Sequence, residues 1–217
     1  GGSVYRDGKL VGRQPRVSFS EDGVAWSAPV RVCREGDWLW RTTWFEDTAY
    51  GVTYGGPVEN KPEWSLTLMH SKDGLDWSPL TELPVDGKPN ETTLRFQPDG
   101  AMLALVRREG DNRNAFFGSS QPPYKDWSFK ELGCAIGGPN FIILPDGQMW
   151  AAGRRYGETN KTALGPLTLD AYDPIIELPS GGDTSYPGLV WHEDMLWVSY
   201  YASHEGKASI YLAKIRL

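Results

Sequence analysis

The chain has 217 residues, among them 25 glycines, 16 prolines, 10 tryptophans and 10 tyrosines, and its formal net charge is −6. This length suffices for one domain with a full hydrophobic core. The acidic balance and the lack of any lysine or arginine run exclude nucleic acid and anionic membranes as expected partners. The sequence has no apolar run of about 18 residues, so we expect no membrane insertion.

The first recurring feature along the chain is the turn motif Ser-x-Asp-Gly-x-x-Trp, at residues 20–26 and again at 71–77. The two copies begin 51 residues apart, and a period near 50 in a turn-rich chain is typical of a β-propeller with one blade per repeat. We expect Asp22 and Asp73 to accept backbone N–H groups within their turns. The motif therefore serves folding and carries no chemistry of its own.

Hairpin turns predict the order of the strands. Turns at Asp47, Asp99, Asp146 and Asp194 each separate two apolar runs, at intervals of 52, 47 and 48 residues. No window shows the apolar periodicity of a helix. The sequence therefore predicts an all-β chain, with strands at 16–19, 39–44, 49–54, 65–70, 92–96, 102–107, 115–119, 140–144, 149–154, 163–169, 186–191, 196–201 and 209–213.

These strands group into blades of a single predicted β-propeller domain, residues 1–217. A closed propeller needs a whole number of blades, because an open one leaves sheet edges exposed. One hypothesis is that about four and a half blades of a six-bladed propeller are present, the N-terminal part being absent. The other is a five-bladed ring in which the N-terminal strand pairs with C-terminal strands. The blades are expected at about 1–33 (partial), 38–84, 90–132, 138–179 and 183–217.

Residues that could hold a metal or form a disulfide are few. Cys33 and Cys134 either form one bridge or stay reduced. His70, His192 and His204 lack the spacing of metal ligands. We therefore expect no metal and no cofactor.

Polar side chains are expected at the mouth of the channel, where inner strands start and second strands end. Arg107 and Arg154 each lie seven residues beyond the glycine of an Asp-Gly turn, so both occupy the same pleat position. Of Arg154 and Arg155, one should face the channel, and the parity favours Arg154. Arg41, on an inner strand, either contributes to the site or pairs with an acid between blades. The remaining candidates are Asn90, Glu91, Asp183 and Tyr186.

Two arginines, a tyrosine and a glutamate at one channel mouth predict an anionic ligand. A guanidinium group binds a carboxylate through two parallel N–H bonds. A substrate carboxylate on the reacting carbon would repel a carboxylate nucleophile, whereas a neutral phenol deprotonated by a neighbouring glutamate avoids that repulsion. The ordinary phenol pKa of about 10 makes such a base necessary.

At these positions the sequence resembles the sialidase (neuraminidase) superfamily. The turns at 20–26 and 71–77 look like shortened Asp boxes. The stretch 90–107 resembles the sialidase segment that holds the glutamate and the second arginine of the carboxylate-binding triad. The stretch 186–200 resembles the segment that opens with the catalytic tyrosine. The resemblance implies a six-bladed propeller that hydrolyses a terminal sialic acid or similar acidic sugar with retention. It makes Tyr186 the nucleophile, Glu91 its base, and Arg107 and Arg154 the clamp on the sugar carboxylate. Further candidate substrate-binding residues are Arg41, Arg155, Asn90 and Asp183.

The sequence departs from that family in two ways. The first triad arginine and the aspartic acid/base are not found, and Pro187 follows Tyr186 where serine is usual. We therefore expect these 217 residues to be inactive or nearly so, although the parent enzyme is expected to be secreted or periplasmic by analogy. Two alternatives stay open: a non-catalytic propeller that binds glycans or proteins, and a five-bladed glycosidase with paired carboxylates, for which Glu91 and Asp183 are the candidates.

Overall fold

The computed structural model describes residues 2–55 and 64–217, and its regular structure is β-strand throughout. Within these residues no helix is long and apolar enough to cross a membrane. The strands are β1 (Gly2–Arg6), β2 (Lys9–Gln14), β3 (Arg16–Val17), β4 (Val30–Arg31), β5 (Asp37–Phe45), β6 (Thr48–Gly55), β7 (Leu66–Ser71), β8 (Ser78–Glu82), β9 (Pro89–Phe96), β10 (Met102–Arg108), β11 (Asn114–Ser120), β12 (Ser128–Ala135), β13 (Gly137–Ile143), β14 (Met149–Arg155), β15 (Lys161–Leu167), β16 (Ile176–Glu177), β17 (Thr184–His192), β18 (Met195–Ala202) and β19 (Ser209–Ile215).

Four antiparallel sheets follow one another along the chain as the blades of a propeller, which confirms the predicted all-β propeller fold. Their strand orders are β5-β6-β7-β8, β9-β10-β11-β12, β13-β14-β15-β16 and β17-β18-β19. The first strand of each sheet contacts the first strand of the next, so β5, β9, β13 and β17 surround the centre. Two small sheets, β1-β2 and β3-β4, precede the blades.

The turn motif folds as its sequence predicts. Asp22 Oδ1 accepts the N–H groups of Val24 and Ala25, each at 2.8 Å. Asp73 Oδ1 likewise accepts two backbone N–H groups, at 2.8 and 2.9 Å. These bonds stabilise the ionised carboxylates and lower the pKa of both aspartates. Both therefore act in their turns, as expected.

Some strands were not predicted from the sequence. The hairpin β1-β2 turns at Asp7 and Gly8, and the outer strands β8, β12 and β16 close three of the blades. These outer strands are short or mostly exposed, so they lack the apolar alternation that reveals an inner strand. The pairing required by the five-bladed hypothesis is not formed by the described strands, because β19 pairs only with β18.

Three hydrophobic clusters fill the space between neighbouring blades. In one of them, between the second and third blades, the rings of Phe117 and Phe141 meet edge to face with centroids 5.3 Å apart. Ile136 lies in the same cluster and is 2% exposed. Contacts of this kind fix the angle between blades and thereby the positions of the inner strands.

We expect Ile136→Val to lower the free energy of unfolding by about 0.5–1.5 kcal/mol, the usual cost of deleting one buried methylene group. Urea denaturation measures the change. The matched control is Ile210→Val, because Ile210 is 77% exposed and its substitution should change stability very little. Equal losses in both variants would contradict the assignment of Ile136 to the core.

The centre of the propeller is crossed by hydrogen bonds that join all four inner strands. Arg41 Nη2 and Asn140 Nδ2 both donate to Pro187 O at 2.9 Å. Arg95 Nη2 donates to Asn140 Oδ1 at 2.9 Å, and Arg95 Nη1 donates to Thr43 Oγ1 at 3.3 Å. We call these five residues the channel ring.

Candidate active site

The site is centred on Glu91, whose carboxylate receives three hydrogen bonds from three different blades or their edges. Tyr186 Oη donates to Glu91 Oε1 at 3.0 Å. Arg107 Nη1 and the N–H of Gly138 donate to Glu91 Oε2 at 2.6 and 3.1 Å. Glu91 is 6% exposed, and such a buried carboxylate is stable as an anion only with partners of this kind. The structure thus brings together three residues of the predicted site, Glu91, Tyr186 and Arg107.

Irregular backbone in three inner strands directs side chains such as that of Tyr186 toward Glu91. The pairing of β17 with β18 shifts register between Ser185 and Gly188, and Tyr186, inside the bulge, has φ of 54°. A β-bulge re-aims side chains beside active sites, and positive φ at a bulky residue is strained. Similar register shifts occur in β5 between Leu39 and Thr42 and in β13 between Gly137 and Asn140.

Gly138 is the backbone support of the site. Its φ is +57°, and a Cβ atom built there would lie 2.5 Å from Tyr186 Cδ1 and 2.6 Å from Ser185 Oγ. Its N–H also donates to Glu91. Glycine is therefore needed for the tyrosine ring to reach the glutamate.

The electrostatics keep Tyr186 protonated. Burial, followed by the negative charge of Glu91 and the hydrogen bond to it, raises the pKa of Tyr186, while Arg107 and Arg154 oppose that rise. Arg107 also contacts Glu109, so two protein carboxylates occupy its guanidinium group. In this structure Arg107 binds Glu91, and its guanidinium group does not offer the two free N–H groups that would bind a substrate carboxylate.

Arg154 and Asp183 lie behind the tyrosine. Arg154 Nε donates to Thr184 O and Arg154 Nη2 donates to Tyr201 Oη, both at 2.7 Å. Tyr201 Oη donates to Asp183 Oδ1 at 2.7 Å, and its ring centroid lies 5.9 Å from that of Tyr186. Burial and the bond to Asp183 raise the pKa of Tyr201 to about 12. Tyr201 was not predicted, although its place opposite Ser185 on the neighbouring strand would have indicated it.

Two candidate residues lie elsewhere. Arg155 ion-pairs with Glu177 at 2.8 Å, and both side chains are largely exposed, so its predicted role in substrate binding is corrected. The neighbouring Arg154 faces inward because successive residues of β14 point to opposite sides of the sheet. Arg41 belongs to the channel ring and does not line the cavity beside Glu91 and Tyr186 described below, so its part in substrate binding stays a prediction.

A cavity of about 520 Å³ opens beside Glu91 and Tyr186. Asn90 lines it and fixes the local backbone, because its Oδ1 accepts the N–H of Glu91 at 2.7 Å. Trp40 lies 5.5 Å from the tyrosine ring between centroids. Aromatic rings of this kind offer apolar faces to a sugar. The other lining residues are Ser3, Arg13, Trp38, Tyr54 and Trp64.

Arg13 is the residue of this cavity that the sequence analysis missed. It lies on β2, in the hairpin that turns at Asp7 and Gly8, and that Asp-Gly pair was the available signal. A larger cavity of about 690 Å³ lies between β3-β4 and the first blade, but neither Glu91 nor Tyr186 lines it. We therefore place the chemistry in the smaller cavity.

Within the described part of the chain, no three His, Cys, Asp or Glu side chains group as metal ligands would. Cys33 and Cys134 are free thiols, which decides between the two states left open by the sequence.

No family model and no curated protein matches this sequence. Solved structures do share its fold. A protein of unknown function from Dyadobacter fermentans DSM 18053 superposes with a TM-score of 0.76 at 20% identity, over 99% of this chain and 67% of that one. The GH43B protein of the xyloglucan PUL of Bacteroides ovatus gives 0.57 at 16%, over 84% and 38%. The exo-β-1,3-galactanase of Phanerochaete chrysosporium gives 0.56 at 10%, over 82% and 49%.

The chain thus spans about two thirds of the Dyadobacter protein and less than half of each of the other two. At these identities the likeness establishes the propeller fold alone. The neighbours include GH43 glycoside hydrolases, and the sialidase-specific assignment expected from the sequence finds no support in the comparisons.

Proposed function

We propose that this chain carries the sugar-binding and nucleophile side of a propeller glycoside hydrolase that acts on a glycan outside the cytoplasm. The observation that supports the proposal is the 3.0 Å hydrogen bond from Tyr186 Oη to the ion-paired Glu91 in a cavity walled by aromatic rings. The GH43 neighbours are glycosidases, which agrees with the same reaction class.

In the proposed reaction Tyr186 Oη attacks the anomeric carbon of the sugar. Its proton passes to Glu91 Oε1 as the bond to carbon forms, and the leaving group departs with the electrons of the glycosidic bond. Water then attacks the anomeric carbon and releases one proton to the solvent. The bond to the tyrosine oxygen breaks, Glu91 returns its proton to the phenolate oxygen, and the configuration is retained. Arg107 and the N–H of Gly138 hold the carboxylate in line throughout.

The described lining of this cavity contains one carboxylate, Glu91, and both of its oxygens accept hydrogen bonds from protein donors. Glu91 is therefore a base and not the acid that protonates a poor leaving group. An aryl leaving group needs no such acid, so we propose turnover by this chain for aryl glycosides, whereas the near inactivity expected from the sequence stands for glycosides with poor leaving groups.

The kind of sugar follows from the charge on the cavity wall. Arg13 lines the cavity beside Tyr54, whereas Arg107 is occupied by Glu91 and Glu109. A guanidinium group beside aromatic faces suits a sugar that bears a carboxylate. We therefore keep an acidic sugar, such as a sialic acid, as the substrate class within this proposal.

A second candidate is a glycosidase with paired carboxylates on a five-bladed propeller, which the fold comparisons favour over a sialidase because GH43 neighbours have that form. In this candidate Glu91 activates a water and Asp183 is the partner acid. The position of Asp183 argues against it: its side chain is 66% exposed, and it accepts the hydroxyl of Tyr201, which stands between it and Tyr186.

The test is the stereochemistry of the first product, followed by proton NMR on 4-nitrophenyl glycosides of sialic acid, xylose and galactose. We expect the sialoside to be hydrolysed with retention, because a tyrosine nucleophile gives two displacements. Inversion on a neutral sugar would support the paired-carboxylate candidate. Binding of a sugar without hydrolysis of any aryl glycoside would overturn both and leave a glycan-binding propeller.

A further inference from the structure

A second cavity, of about 440 Å³, is lined by residues of the channel ring and of the last blade. It shares no lining residue with the cavity of the candidate active site. Arg41, Arg95 and Asn140 of the channel ring form its floor, and residues of β17, β18 and β19 form its wall. It is therefore distinct from the cavity of the candidate active site.

The floor carries two positive charges without a counter-charge in contact. Arg41 donates to Pro187 O, and Arg95 donates to Leu94 O, Thr43 Oγ1 and Asn140 Oδ1, all of them neutral acceptors. Among residues 2–55 and 64–217, no carboxylate lies within 4.0 Å of either guanidinium group. Buried cations of this kind are costly unless an anion joins them.

Two further donors are unused. Arg41 Nε and Trp197 Nε1 are buried and have no hydrogen-bond partner, and both residues line this cavity. Buried donors without acceptors are rare in folded proteins and indicate a group that binds there. Burial, and then the neighbouring positive charge of Arg41, lowers the pKa of Arg95 to about 10. This shift agrees with an excess of positive charge at the floor of the cavity.

The wall of the cavity is apolar and partly open to solvent. Leu189 is buried, whereas Val190 and Leu212 are 59% and 58% exposed. An apolar wall above two guanidinium groups suits an anion with an organic body better than a small, strongly hydrated anion such as sulfate.

We propose that this second cavity binds a small organic carboxylate, its two oxygens on Arg41 and Arg95 and its apolar part against Leu189, Val190 and Leu212. The carboxylate supplies acceptors for the unused Arg41 and Trp197 donors. This binding site does not depend on the proposed hydrolase activity, because none of its lining residues lines the cavity beside Glu91 and Tyr186.

The experiment uses benzoate as the probe, titrated against chloride at constant ionic strength, with thermal unfolding as the readout. We expect a saturable rise in Tm for the wild-type chain, a smaller rise with sulfate, and none with the neutral analogue benzyl alcohol. Arg41→Gln should weaken benzoate binding by about 10-fold or more, because one of the two guanidinium groups that bind the carboxylate is lost. Arg155→Gln is the matched control, because it removes the same charge from an exposed ion pair and should leave binding unchanged.

A second readout covers the case in which the Arg41 variant folds poorly. The indole N–H resonance of Trp197 in the wild-type chain should shift on adding benzoate, while that of the exposed Trp26 should stay in place. Equal Tm shifts in the Arg41 and Arg155 variants, or no movement of the Trp197 resonance at saturation, would overturn the proposal.

Discussion

Replacing Tyr186 by phenylalanine is expected to lower kcat on an aryl glycoside by about 10³-fold or more, because nucleophile and proton are lost together. The ring itself stays, so its contacts with Trp40 and Tyr201 persist and KM should change little. The variant should also unfold at about the wild-type temperature, since the phenol makes one hydrogen bond and Tyr186 is 43% exposed. Steady-state kinetics on the substrate that proves active measures both constants.

Glu91→Gln separates the two candidate mechanisms when measured beside the tyrosine variant. If Glu91 serves Tyr186, both variants should lose activity to a similar extent, because the base and the nucleophile act as one unit. If Glu91 instead activates water directly, the glutamine variant loses activity while the phenylalanine variant keeps most of it. That second pattern would sink the tyrosine mechanism and leave the paired-carboxylate candidate.

Replacing Gly138 by alanine is expected to reduce kcat by about 10²-fold, the loss typical of displacing a reacting group by about 1 Å. The new methyl group would lie 2.5 Å from the tyrosine ring, so the ring must move away from Glu91. Alanine also resists positive φ, so the free energy of unfolding should fall by about 1–2 kcal/mol. Kinetics and urea denaturation of the same preparation give the two numbers.

Gly133→Ala is the matched control for that variant. Gly133 has φ of +69°, close to the +57° of Gly138, but an added Cβ there would have no atom within 4 Å. It should lose comparable stability and keep full activity. A Gly138 variant as active as the Gly133 variant would show that the tyrosine ring is not held by this contact.

The alignment of the repeats was enough to place distant residues together. Glu91 and Tyr186 lie 95 residues apart, yet both were expected at the channel mouth because each starts an inner strand. Glu91 and Arg107 flank one hairpin, and the structure pairs them, although Arg107 was expected to bind the substrate carboxylate. The repeat period and the turn residues are local features of the sequence. In a repeat fold they also predict which distant residues occupy equivalent positions in neighbouring blades.

Other parts of the site could not be predicted in the same way. Counting alternate residues assumes an unbroken pleat, but β5, β13 and β17 each contain a bulge, which no composition signal marks. The side chain of Arg41 lines the second cavity and not the one beside Glu91, which the sequence did not indicate. Arg107 was expected to hold substrate, but Glu109, only two residues away, competes for its guanidinium group.

The channel ring has a consequence for how the molecule assembles. Within a blade each strand pairs with its neighbour in sequence, so a blade needs only short loops to form. The bond from Arg41 to Pro187 closes a loop of 146 residues. Closing such a loop costs conformational entropy, which opposes formation of the bond until other contacts have brought its ends together. The blades should thus form first and the ring last. Because the bulge carrying Tyr186 adjoins Pro187, catalytic geometry is then acquired only in the final step of folding.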